Sequence, residues 1–327
     1  MVRKVLLSIF FLFSACVLYA QAVRVARIIM PVSDLEGSLS FFEKAFDAKK
    51  VQVFESYDSR NDSLEGTFNS YYRSAVVRIG KDRVELREYI SLEGRSYPLD
   101  FTSSDRRFQH LAIVVSDMEK AYSRLKKMGV KQVSNQPQTI PYSNPVAGGV
   151  KALYFKDPDR HILELIFYPL DKRKDKWKSQ KSLFLGIDHT AIVVSSTRVS
   201  KIFYEKLLGF KVKGESFNYG KEQEHLNGVK DSKVRITGLG TDEQSVGVEF
   251  LEYVSSVQME ISRQPKPRTY DIWALQTVIE VESLDALYKS MHFQYVPVVS
   301  KGIIQYGQEK KLLVKDPDGH FILLKEK

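Results

Sequence analysis

The sequence predicts an α+β fold built from four βαβββ modules in tandem, two in each half of the chain. Three observations predict it. A β-rich run, a short polar turn and a helical stretch recur in that order four times. Two near-identical turns, Asp157-Pro158-Asp159 and Asp316-Pro317-Asp318-Gly319, close the two halves. Unrelated landmarks also keep nearly one spacing: Arg27 to His189 is 162 positions, Glu85 to Glu249 is 164, His110 to Gln276 is 166 and Asp157 to Asp316 is 159. A fixed period of this kind is the mark of a duplicated unit.

Taken in order, the chain begins with a leader pattern. Arg3 and Lys4 precede an apolar run from Val5 to Leu18, and Ala20-Gln21-Ala22 offers a small-x-small cleavage site. This three-part arrangement is that of a secretory signal, and the apolar run is short for a spanning helix, which needs about 20 residues. The expectation is removal of residues 1–22 and export to a periplasmic or extracellular space. Cys16, the single cysteine, lies inside this segment, so the mature chain has no disulfide. Lipid anchoring at Cys16 is a weaker alternative, because Phe13 fits a lipoprotein box poorly.

The four module openings start at Ala26, His110, His189 and Gln276. Each ends on Ser, Asp or Glu, residue types that close a strand and can cap a helix. Apolar residues at i, i+3 and i+4 then place helices over Ser38 to Phe46, Met118 to Met128, Val199 to Leu208 and Leu284 to Met291. The strand Val84-Glu85-Leu86-Arg87-Glu88-Tyr89 is echoed by Val248-Glu249-Phe250-Leu251-Glu252-Tyr253. Sequential hairpins within each module imply a mostly antiparallel sheet. The expected division is a first domain over 23–170, a basic linker over 171–182, read as a solvated run, and a second domain over 183–327.

Composition narrows the function classes. Hydrophobic residues at 43% and charged residues at 27% are a normal globular balance. The net charge is +9, yet the cations are spread thinly. No zinc-finger spacing, RNA-binding aromatic motif or phosphate loop accompanies them, and Gly238-Leu239-Gly240 is not continued into a dinucleotide fingerprint. The expected partner is a small molecule, with no nucleic acid and no membrane after leader removal.

The strand openings at His110 and His189, together with the Asp-Pro-Asp turns, resemble the vicinal oxygen chelate superfamily of glyoxalase I, extradiol dioxygenases and bleomycin-resistance proteins. The resemblance covers roughly Val23 to Leu324. It implies two cupped mixed or antiparallel sheets, each made of two modules, with metal ligands on the first and last strand of each module. Pairing the modules within each half puts Arg27, Glu85, His110 and Glu164 in the first cup. It puts His189, Glu249, Gln276 and Leu323 in the second.

On that pairing each cup offers three ligands of the glyoxalase type. The first has Glu85, His110 and Glu164, broken by Arg27; the second has His189, Glu249 and Gln276, broken by Leu323. The first set carries two charges and is the preferred metal site, for Zn, Ni, Mn or Fe, with Glu164 or Glu85 as catalytic base. Arg27 is expected either to contact an anionic substrate or to pair with a carboxylate and displace the metal. His225 is a candidate lining residue. A ring-cleaving dioxygenase needs a histidine on the first strand of both modules of one cup, and this pairing supplies none. The implied activity is a metal-dependent lyase or isomerase acting on a small carbonyl substrate; the alternatives are a non-catalytic binding protein and a scaffold role for one domain. His161 and His320 are expected to face solvent, His292 to end a helix, and the loop Pro137 to Pro145 to cover a cup mouth.

Overall fold

The computed structural model describes residues 22–242, 244–254 and 266–327. Residues 1–21 of the leader pattern therefore lie outside the described residues, and Ala22 opens β1. The first module comprises β1 (Ala22–Pro31), α1 (Leu35–Phe46), β2 (Lys49–Ser56), a short α2 (Ser59–Glu65), β3 (Tyr72–Ile79) and β4 (Asp82–Tyr89). The second has β5 (Gln109–Val115), α3 (Met118–Lys127), β6 (Lys131–Gln132), β7 (Gln138–Thr139), β8 (Lys151–Lys156) and β9 (Ile162–Phe167). A single turn, α4 (Asp175–Lys178), precedes the third module. That module consists of β10 (Phe184–Val193), α5 (Thr197–Lys201) running into a π-helical turn (Ile202–Leu207), β11 (Lys211–Asn218), α6 (Lys221–Asn227), β12 (Val234–Gly240) and β13 (Gly247–Tyr253). The fourth is β14 (Gln276–Val281), α7 (Leu284–Phe293), β15 (Ile304–Tyr306), β16 (Glu309–Lys315) and β17 (Phe321–Glu326).

The predicted caps act as caps in three of the four openings. Asp117 accepts from the Lys120 backbone N–H, Ser196 from Val199 and Ser283 from Ala286. Asp34 takes the extended N-cap conformation without a side-chain bond. The Asp-Pro-Asp turns both leave their fourth residue in the left-handed region, Gly319 at φ 98° and Arg160 at φ 71°. An arginine is strained there; its guanidinium offsets this by donating to the carbonyls of Tyr97 (2.9 Å) and Pro98 (3.0 Å).

Module pairing departs from the expectation. The eight-stranded sheet runs β15-β16-β17-β14-β1-β4-β3-β2, joining the fourth module to the first. The nine-stranded sheet runs β11-β12-β13-β10-β5-β9-β8-β6, joining the third to the second, with β7 on β8. The seams are antiparallel, β1 against β14 and β10 against β5, while β1–β4, β5–β9, β10–β13 and β14–β17 are parallel. Neither 23–170 nor 183–327 makes a sheet of its own. Four modules with the same strand pattern can pair either way, so periodicity carried no information on this point. A shared core spans the two sheets, with Ile28, Phe42 and Phe46 packed alongside Ile113, Phe155 and Phe184.

The basic run at 171–178 is not a solvated linker. Trp177 is fully buried and stacks on Tyr168 at 6.1 Å, and Lys174 bonds Asp188 at 2.6 Å.

Candidate metal centre

The second sheet brings together residues that the sequence pairing had separated. His110 comes from β5, Glu164 from β9, His189 from β10 and Glu249 from β13. The register is symmetric: Ala191 lies opposite His110 and beside Glu249, and Ala112 lies opposite His189 and beside Glu164. Side chains two apart share a face, so each histidine faces the same way as an alanine. Those alanines leave the centre of the floor open.

The ligand atoms converge. His110 Nε2 is 3.2 Å from His189 Nε2 and 3.0 Å from Glu164 Oε2. His189 Nε2 is 3.5 Å from both Glu164 Oε2 and Glu249 Oε1. His110, His189 and Glu249 each place one ligand atom within 4.8 Å of the others, among the described residues. The group lies beside a cavity of about 340 Å³ that reaches Glu164, His189 and Glu249 and is walled by Ile140, Val150, Leu226 and Tyr253.

Charge is arranged around the ring of His189. Its Nδ1 is 2.9 Å from Asp188 Oδ2, which leaves Nε2 to face the cluster. Burial would push Asp188 up, but Lys174 and His189 hold it far below the usual carboxylate range. Burial works to lower His189, and Glu249, Asp188 and Glu164 outweigh it, raising the imidazole well above its ordinary value. His110, fully enclosed, is lowered by burial. Glu164 is pushed up by burial but brought below its ordinary value by hydrogen bonds from His110 and His189. Glu249 is raised to about 7, chiefly by burial, with His189 opposing and Glu164 adding.

The equivalent place in the first sheet has another chemistry. Arg27, Glu85, Gln276 and Leu323 hold the four matching positions, and Ile29 and Val278 replace the two alanines. Arg27 Nε lies 3.0 Å from Glu85 Oε2. Glu85 Oε1 accepts from Arg87 at 2.5 Å and Ser74 at 3.1 Å, and Arg87 also pairs with Glu65. Burial would raise Glu85, but the Arg87 and Arg27 guanidiniums hold it below its usual value. Ile29, Val278 and Leu323 fill the floor as part of an apolar cluster.

The chain matches the Glyoxalase/Bleomycin resistance protein/Dioxygenase superfamily over residues 24–165 and 186–324. It belongs to that superfamily. Within the family, lactoylglutathione lyase from Schizosaccharomyces pombe is 28% identical over 196 residues, covering 55% of this chain and 57% of the lyase. The chain thus spans little more than half the length of that relative. Fosfomycin resistance protein FosX from Listeria innocua is 24% identical over 154 residues, covering 46% of this chain and 95% of FosX. Glyoxalase I from Zea mays superposes with a TM-score of 0.62 at 19% identity, over 93% of this chain and 92% of that one. That last likeness shows the fold.

For this superfamily member, several sequence expectations need correction. His110 and Glu164 do not share a cup with Arg27 and Glu85, because their modules lie in different sheets. Glu85 is bonded to two arginines and cannot act as base beside His110. Gln276 does not join His189 and Glu249; it is fully buried in the first sheet, with neither amide atom bonded among the described residues. His225 is exposed, and α6 lines the cavity with Gln223 and Leu226 instead. His161 and His320 are buried rather than solvent-facing. His161 Nδ1 contacts Asp157 at 2.7 Å and its Nε2 the Ile272 carbonyl at 2.9 Å. The loop after Pro137 does border the cavity, through Ile140. Asp188, Lys174 and the two alanines were missed; the repeated His-x-Ala at 110–112 and 189–191 was the available signal.

Proposed function

We propose that this protein is a metal-dependent lyase or isomerase acting on a small carbonyl substrate with two neighbouring oxygens. The convergence of His110, Glu164, His189 and Glu249 beside one cavity carries the reading. Two imidazoles and two carboxylates suit Zn²⁺, Ni²⁺, Mn²⁺ or Fe²⁺. The local chemistry calls for a cation. Glu164 and Glu249 each lie 3.5 Å from His189 Nε2 and neighbouring carboxylates resist joint ionisation, and two Nε2 atoms at 3.2 Å cannot both carry protons. A bound divalent ion supplies polarisation of the substrate oxygens.

The chain's own residues supply the rest. Glu249, with its side chain 22% exposed on the cavity, is placed to take a proton from the carbon beside a carbonyl and to return it. Glu164, kept ionised by two imidazoles, balances charge. Asp188 fixes the ring of His189. The apolar wall excludes water from the reacting centre.

A second reading, oxidative ring cleavage on iron, gains from the structure, because His110 and His189 do lie on first strands in one cup. Glu164 counts against it, since its Oε2, 3.0 Å from His110 Nε2, crowds a position that such enzymes keep open. Metal content of purified protein tests the site. One divalent ion per chain, lost in His110→Ala and His189→Ala and kept in Arg27→Gln, is the expected result; metal retained in both histidine variants overturns it. Assays for lactoylglutathione and fosfomycin chemistry, the compounds named for the two relatives, and for oxygen uptake with catechols then sort the readings. The leader pattern adds the proposal of export, tested by N-terminal sequencing of the mature chain, which is expected to begin near Gln21 or Val23.

A further inference from the structure

The mouth of the first sheet's filled floor is a polar cavity, of about 340 Å³. Five cations, Arg24, Arg27, Lys81, Arg83 and Lys325, line it against three acids. Most of these charges are spoken for. Arg24 holds Glu280 in a bidentate pair at 2.7 and 3.1 Å, Lys325 holds Glu309 at 2.6 Å, and Lys81 donates to Gln244 at 2.5 Å. Asp82 accepts from the Ile187 backbone N–H at 2.8 Å. Two guanidiniums are left over.

Arg27 forms an ion pair with Glu85, Nε to Oε2 at 3.0 Å, and the same carboxylate is hydrogen-bonded by Arg87. The Nε–Glu85 contact is a charge contact without hydrogen-bond geometry, no hydrogen bond from the Arg27 guanidinium occurs among the described residues, and its side chain is 31% exposed. Arg83 is exposed, takes part in no ion pair among the described residues, and stands directly opposite Arg78 across the β3–β4 hairpin. Like charges opposite each other on a sheet are destabilising, and an anion beside them relieves the cost. A guanidinium held on one edge presents its other N–H groups in the fixed fork that matches a phosphate or carboxylate.

We infer that this cavity binds a small oxyanion, a phosphate, phosphonate or carboxylate group, with the Arg27 guanidinium at its inner end and Arg83 at its mouth. The site is separate from the His110–His189 cluster and needs no metal. One floor has kept metal ligands around two alanines. The other has closed over Ile29 and Val278 and turned an arginine outward.

Calorimetric titration of inorganic phosphate, and separately of malonate, into the full chain tests this, with ionic strength fixed by sodium chloride. The expected result is saturable binding of one anion per chain, weakened about tenfold or more in Arg83→Ser and in Arg27→Gln, and unchanged in His189→Ala. Saturation by phosphate alone assigns a phosphoryl ligand, and by malonate alone a carboxylate ligand. Arg83→Ser is an exposed change that leaves Glu85 paired, so it stands as a test even where Arg27→Gln fails to fold. Wild-type binding in Arg83→Ser, loss of binding in His189→Ala, or heat no greater than that of added chloride overturns the inference.

Discussion

Ala112 and Ala191 follow His110 and His189 by two residues on their strands, and Val278 and Ile29 hold the matching positions of the other sheet. The difference is a few methyl groups on each side, and the interior has no slack to absorb them. Ala191→Ile places that bulk between the proposed ligands. The expected outcome is a folded protein, destabilised by about 1–3 kcal/mol from overpacking, that retains no metal after dialysis; unfolding curves and metal analysis check the two parts. Asp188→Asn keeps the volume but removes the charge behind His189. Metal affinity is expected to fall about 10–100-fold, measured by competition with a chelator. At this scale the candidate ligand residue types stand out in the sequence, since His and Glu recur at fixed strand positions. What room they had was written in the next same-face residue, alanine in one sheet and isoleucine or valine in the other.

Among the elements, the Asp-Pro-Asp turns carry more than a change of direction. His161 faces only acceptors, the Asp157 carboxyl and the Ile272 carbonyl, so both its nitrogens must bear protons. Burial lowers such a group, but Asp157 outweighs it and raises His161; Asp316 does the same for His320. A histidine raised in the folded state stabilises the fold below its unfolded pKa of about 6.5 and loses that contribution as pH rises through the folded value. Stability is therefore expected to fall as pH rises above about 6.5, with a shallower fall in the His161→Gln, His320→Gln double variant, read from urea unfolding at neutral and alkaline pH. His189 shifts in the same direction, so the difference between variant and wild type isolates the turns. Trp177 in α4 is a second anchor, and Trp177→Ala is expected to cost about 3–5 kcal/mol. Neither feature was legible from local pattern. Ile272 lies over a hundred residues from His161, and a run of lysines gives no hint that the tryptophan inside it is buried.

At the scale of the whole molecule, the duplication was plain in the offsets, while the pairing of modules was not. Chemistry held the missing clue: joining the second module to the third collects two histidines and two glutamates, and leaves Arg27 with Glu85. This pairing makes each half dependent on the other. His110 and Glu164 lie in the first half and His189 and Glu249 in the second, and both antiparallel seams, β1–β14 and β10–β5, cross between halves. A fragment of residues 22–178 would expose two seam strands, and an exposed apolar edge seeks a partner. It is expected to be unfolded or self-associated, with β5 paired to β5 of a second copy. The same holds for a fragment of residues 183–327. Mixed in equal amounts, the two are expected to form a one-to-one complex that binds a single divalent ion as the intact chain does. Analytical ultracentrifugation with metal analysis of each species checks this. A monomeric, cooperatively folded 22–178 fragment would show that the seams are not needed for folding. Metal held by such a monomer would move the site back into one half.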